Sequence, residues 1–210
     1  GATTSAGFAT VPAQSPNPTA DGNIPPNRVA NVQGNYYQWG RNDNVTSGTW
    51  TTSQWGGAFT SPANTTGNTN FYQGEATYGD WKWAGATNPA GGWNTANGGD
   101  NNLPCATGYH VPSDDGTVNT DWPKSAQLIV NTISPTGPNY DTIRTILKLP
   151  LAGYRNWGNG QYYDQGTYGC YWSSSPHTTN SYLADFHSGG GNIADVNVRG
   201  YGFSVRCLKN

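Results

Sequence analysis

Apolar residues recur at helical spacing most clearly in two places. Over Asp121–Ile133 the apolar positions include Leu128, Ile129 and Ile133, and over 139–147 Ile143, Ile146 and Leu147 repeat behind Asp141. Two short helices are therefore predicted in the middle of the chain. Elsewhere the pattern is one of aromatic residues set between turn-forming clusters. Between 36 and 93 these are Tyr36-Tyr37-Gln38-Trp39-Gly40-Arg41, Trp50, Trp55, Phe59, Phe71-Tyr72, Trp81, Trp83 and Trp93, which fit short strands and long loops better than helices. After Pro150 come glycine-punctuated segments: Tyr171-Trp172-Ser173-Ser174-Ser175, 181–188 and 202–208. A half-buried strand over 181–188 turns Tyr182, Ala184 and Phe186 toward a core and Leu183, Asp185 and His187 outward. The pattern predicts an α+β fold with two short central helices, short antiparallel strands and long loops. Residues 1–34, rich in Pro, Ala, Asn and Thr, show neither period and read as an extended arm or linker ahead of a domain over 35–210.

With 210 residues the chain has the length of roughly one domain. Charged residues make up 10% and the net charge is −2, so the solvated surface is built of Asn, Thr, Ser and Gly. No Lys/Arg cluster is present, which removes the counterion-release contribution behind most nucleic-acid affinity. Nucleic acid and anionic membranes are poor partners for such a surface. No apolar run reaches the ~20 residues of a membrane span, so direct membrane insertion is not expected. The opening Gly1-Ala2-Thr3-Thr4 lacks Met and a basic-then-apolar signal pattern, and the chain is expected to be processed or truncated. Nine Trp, thirteen Tyr and five Phe supply a core despite few aliphatics, since each buried ring hides ~150–250 Å². For any single ring, packing outweighs service as a sugar-stacking platform.

Three cysteines set the remaining chemistry. Cys105 opens Cys105-Ala106-Thr107-Gly108-Tyr109-His110-Val111-Pro112 and Cys207 lies in Val205-Arg206-Cys207-Leu208. A bridge between them is the economical pairing and implies an oxidising location; the alternative is two buried thiols. Cys170 is left as a catalytic thiol, a dimer bridge or a residue at a tolerant position. No Cys/His enzyme signature surrounds it, although His177 and His187 are near in sequence. No metal-ligand spacing is present, and Asp114-Asp115 reads as a turn or helix-start feature rather than a calcium site. Asn44-Val45-Thr46 and Asn64-Thr65-Thr66 are formal glycosylation sequons. No cofactor is expected.

Several motifs resemble one known family when taken together. They are Tyr36-Tyr37-Gln38-Trp39-Gly40-Arg41, the Cys105–Pro112 run, Leu149-Pro150-Leu151-Ala152-Gly153-Tyr154-Arg155, Tyr171-Trp172-Ser173-Ser174-Ser175 and Gly202-Phe203-Ser204-Val205-Arg206-Cys207. The combination spans roughly 36–210 and is similar to the Fibrobacter succinogenes major paralogous domain family, in particular the variable proteins of diversity-generating retroelements. The resemblance implies a C-type lectin-like fold of the formylglycine-generating-enzyme branch, with a variable region at about 155–201. It also implies display on a virus particle or cell surface, and a protein or glycan ligand on a target cell or virus. In that family template adenines are copied as any base. Carried over onto this chain, the varied binding positions are Tyr163, Asp164, Thr167, Tyr168, Cys170, His177, Leu183, Asp185 and His187, followed by Gly190, Asn192, Asp195, Val196, Asn197, Val198 and Tyr201. Each is a residue type reachable from an Asn codon by changing only adenines. The same carry-over makes Trp172, Ser173 to Ser175, Phe186, Arg199, Phe203 and Arg206 structural, their polar groups satisfying loop backbone, and reads Cys170 as an accident of variation. The expected function is non-enzymatic ligand or receptor binding through tyrosine-rich contacts. The alternatives are a carbohydrate-binding lectin or adhesin and, third, an enzyme like the formylglycine-generating branch. Against calcium-dependent sugar binding, the chain has no Glu-Pro-Asn, Gln-Pro-Asp or Trp-Asn-Asp motif.

Overall fold

The structure, a computed structural model, describes residues 2–3, 9–10, 35–46, 50–51, 70–73, 77–82, 86–87, 89, 91–102, 104–117, 119–133 and 140–210. Most of the 1–34 arm, the Asn64 sequon, Trp55, Phe59 and Trp83 lie outside the described residues. In chain order the elements are β1 (Ala2–Thr3), β2 (Ala9–Thr10), β3 (Tyr36–Gln38), β4 (Trp50–Thr51), β5 (Phe71–Tyr72) and β6 (Tyr109–His110), then helices α1 (Asp121–Ile133) and α2 (Tyr140–Leu147). There follow β7 (Tyr154–Arg155), β8 (Tyr162–Tyr163), β9 (Tyr168–His177), β10 (Asn180–His187), β11 (Gly190–Asn197), β12 (Gly202–Ser204) and β13 (Leu208–Lys209).

The body is a seven-stranded mixed sheet in the order β11-β10-β9-β12-β7-β8, with β3 also paired to β12. All pairings in it are antiparallel except β12 with β9. This corrects the α+β, C-type lectin-like expectation: strand makes up 33% of the described residues and helix 14%, around one mixed sheet. The physical reason lies in two tight connections. Thr178, at φ 44°, and Gly189, at φ 78°, turn the chain back at once, so polar runs that look like loops become the three long consecutive strands β9, β10 and β11.

The two helices occur where the apolar spacing places them. Trp122, Ala126 and Ile129 form the buried stripe of α1, whereas Leu128 is 64% exposed. With Ile143 and Leu147 of α2 they pack on Tyr171, Ala184 and Phe186, one face of the sheet. The other face is covered by distant aromatics: Trp39, Trp93, Trp172 and Phe203 gather with Val111, Leu183 and Cys170. This is why the predicted outward side of β10 is wrong at two positions, Leu183 being 1% and Asp185 6% exposed. Alternation assigns them correctly to the face opposite the helices, but that face has its own aromatic layer.

Cys105 and Cys207 form the disulfide, with a Cα–Cα distance of 5.7 Å. It lies beside the β6–β13 pairing, Leu208 opposite His110, and ties the chain's end to its middle. Arg199, 0% exposed, uses its whole guanidinium fork. Nε donates to Ser181 Oγ, Nη1 to Asp80 Oδ2 and the Ala86 carbonyl, and Nη2 to the Thr178 and Asn180 carbonyls. Arg206 donates to the Leu147 carbonyl. Both arginines therefore satisfy backbone carbonyls, as their motif positions imply. Asp114 Oδ1 accepts from the Gly116 amide and Asp115 Oδ1 from the Thr117 amide, so the acidic pair is a turn feature.

Candidate functional site

On the sheet face away from the helices an open cavity of about 210 Å³ lies over β9, β10 and β11. Its floor follows from strand register. Cys170 is opposite Asp185 and Trp172 opposite Leu183 on β9 and β10, and Leu183 is opposite Asp195 on β11. Between Leu183 and Asp185 the β11 partner jumps from Asp195 to Asn192. This bulge adds one residue to β11 and so places both Asn192 and Asp195 on the cavity side, the usual effect of a bulge on side-chain aim.

The walls come from the neighbouring turns. Gly153 has φ 69°, and a Cβ there would stand 2.2 Å from the Tyr163 carbonyl oxygen. Only glycine lets the β8–β9 turn close onto this backbone, and that turn carries Asp164 to the cavity edge. Tyr154 and Tyr163 lie opposite each other across β7 and β8 with rings stacked at 5.7 Å. Tyr201 stacks on Phe203 at 5.1 Å and meets Tyr154 edge-on at 5.4 Å.

Eight of the expected binding positions line this cavity: Asp164, Tyr168, Cys170 and Leu183, with Asp185, Asp195, Asn197 and Tyr201. Tyr163 and Thr167 are exposed beside it, His187 stacks on Tyr168 at 5.0 Å, and Asn192 and Gly190 continue the rim along β11. Three positions lie elsewhere. His177 packs on Tyr182 at 4.8 Å toward the far end of the β9–β10 hairpin, Val196 is opposite Tyr182, and Val198 sits against Gly79. Two lining residues, Tyr154 and Phe203, escaped the sequence reading as site residues. Tyr201-Gly202-Phe203 contains the signal for the second, because residues two apart on a strand share a face.

Among the described residues three carboxylates and no Lys, Arg or His line the cavity. Asp185 Oδ1 accepts from the Asn192 amide at 2.8 Å and Oδ2 from the Tyr168 hydroxyl at 3.2 Å. Burial, then the neighbouring Asp195 charge, raise its pKa against those bonds. Burial with Asp185 beside it pushes Tyr168 up to about 12, and burial with Asp164 and Tyr201 beside it pushes Tyr154 up to about 12. Burial and the same three aspartates raise the Cys170 thiol, which disfavours the thiolate needed of a nucleophile or metal ligand. Among the described residues no group of three His, Cys, Asp or Glu could hold a metal ion, and no helix is long and apolar enough to cross a membrane. The arrangement suits non-covalent capture of a small group between tyrosine rings and carboxylates.

Residues 125–208, which carry the sheet meander and the cavity, are similar to a domain family described as a domain of unknown function, DUF8237. No curated protein and no solved structure matches the chain. What fold and site together define is a β-rich protein with an acidic, aromatic pocket.

Proposed function

We propose that this is a non-enzymatic ligand- or receptor-binding protein whose C-terminal surface is diversified by a retroelement acting on template adenines, and that it is displayed on a virus particle or cell surface. The observation that carries the reading is convergence. Positions scattered over 164–201 that the resemblance marks as varied meet around an open cavity, while the interleaved Tyr171, Ala184 and Phe186 pack beneath the helices. A disulfide closing the domain suits an extracellular setting. Tyrosines at the rim offer large contact area at low rotamer cost.

Sequencing of the DNA beside the gene tests this. Expected is a near-copy of the segment encoding about residues 155–210, differing only at adenines and next to a reverse transcriptase gene. A flank without such a copy overturns the retroelement reading. Stacked tyrosines beside carboxylates also suit sugar hydroxyls, and a glycan array run with and without chelator separates carbohydrate binding from protein binding.

A further inference from the structure

The cavity buries an acid that two hydrogen bonds support and that no cation among the described residues pairs with. Asp185 is a carboxylate 6% exposed, it lines the cavity, and it forms no ion pair among the described residues. Buried carboxylates are ordinarily paired with a cation. Asp195 beside Asp185 is of like sign, and the His187 ring lies at the rim against Tyr168. Asp164 is the third carboxylate on the same walls.

We infer that this pocket is a receptor for an organic cation, the guanidinium or ammonium head group of an arginine, a lysine or a free amine. The inference deepens the proposed binding function and rests on the cavity being the ligand site. Three features select this class. The walls are aromatic, with Tyr154, Tyr168 and Tyr201 around the carboxylates, and ring faces attract cations most strongly where water is excluded. The carboxylates are spread around the cavity rather than gathered, so no metal-holding trio exists among the described residues, whereas a guanidinium presents five donors over a plane and can reach separate acceptors. A volume of about 210 Å³ is below the ~300–1,000 Å³ of pockets for drug-sized ligands, and so fits one head group or side chain. Carboxylates in a cleft with low-dielectric walls also focus a negative potential that raises the local concentration of cations at its mouth.

The test uses the whole chain, labelled with 15N, titrated separately with N-acetyl-arginine amide, N-acetyl-lysine amide, spermidine, the neutral isostere N-acetyl-citrulline amide and CaCl2. Saturable amide shifts along β9, β10 and β11 with a roughly millimolar Kd are expected for at least one cation, with citrulline amide weaker by about tenfold or more. Asp195→Asn and Asp164→Asn, both at less buried positions, should each weaken the cation severalfold while the remaining amide spectrum and the Tm are kept. Preference for the amino-acid amides over spermidine assigns the source as a protein side chain, and the reverse assigns a free amine. Equal binding of citrulline and arginine amides, unchanged affinity in both variants, or Ca2+ alone saturating the same shifts overturns the inference. Loss of cation binding with an adenine-variant DNA copy present sinks this inference alone; cation binding without such a copy sinks the retroelement reading alone.

Discussion

Arg199 provides the sharpest test of how the fold is held. Its five N–H donors meet five acceptors, in Ser181, Asp80, Ala86, Thr178 and Asn180, and both it and Asp80 are 0% exposed. The guanidinium also lies 5.3 Å from the Trp39 ring. Arg199→Met leaves the Asp80 carboxylate buried without its cation, a loss of about 3–5 kcal/mol for one member of such a pair. For a chain of this size each kcal/mol moves the Tm by about 2–4 °C, so melting should fall by about 10 °C. Arg199→Lys keeps a charge but not the planar fork; at least two carbonyls lose their donors, and the cost is about 2–3 kcal/mol. Removing the stranded partner as well, in Arg199→Met with Asp80→Leu, should recover part of the loss, because two apolar groups tolerate burial where a lone carboxylate does not. Urea denaturation of the parent, Arg199→Met, Asp80→Leu and the double variant gives the coupling energy directly. A single Arg199→Met variant within about 1 kcal/mol of the parent, or a double variant showing simple additivity, would refute the hub.

The disulfide and one buried acid give two further expectations. Cys105→Ala with Cys207→Ala opens a loop spanning 102 residues, and chain entropy sets the loss at about 4–5 kcal/mol; equal denaturation midpoints with and without the bridge contradict this. Asp114 is 0% exposed, its Oδ2 has no hydrogen-bond partner among the described residues, and burial pushes its pKa up to about 7. Between about 4, where the unfolded carboxyl titrates, and about 7, the folded chain holds a proton that the unfolded chain has lost, so stability falls as pH rises through this window. Asp114→Asn should flatten that fall and leave the variant more stable at pH 8, read from denaturation at pH 4, 6 and 8; an unchanged slope excludes Asp114 as its source.

What the sequence made legible follows distance along the chain. The helices at 121–133 and 140–147 come from spacing within a dozen residues, and Cys105–Cys207 is the economical pairing among three cysteines. The Arg199 hub was legible in kind, a structural arginine, but Asp80 lies 119 residues away and no local pattern names it. Period-two alternation sorted Leu183 and Asp185 onto the right face and then misjudged their surroundings, since Trp39 and Trp93 reach that face from far upstream. Trp122 joins Ile129 on the buried side of α1 because its ring fills the space beside Tyr171 and Phe186. The β11 bulge, which moves Asn192 onto the cavity side, leaves no mark in the sequence.

The same layering divides the binding positions into those that vary at a cost in stability and those that do not. Floor residues belong to the core as well as to the site: Leu183 packs with Trp39, Trp172 and Phe203, and Cys170 is buried among them. Rim residues do not, Thr167 and Asn192 being exposed. Leu183→Ala should therefore cost about 2–5 kcal/mol, as deletion of a buried leucine does, while Thr167→Ala and Asn192→Ala stay within about 0.5 kcal/mol. A diversified surface built this way changes its rim readily and its floor rarely, so the acidic floor would set the class of ligand and the rim the choice within that class. Two displayed libraries decide it, one randomising Tyr163, Thr167 and Asn192, the other Cys170, Leu183 and Asp185, each sorted for protease resistance. Most rim members should survive and most floor members should not. Equal survival would place the floor outside the core and remove the basis for a fixed ligand class.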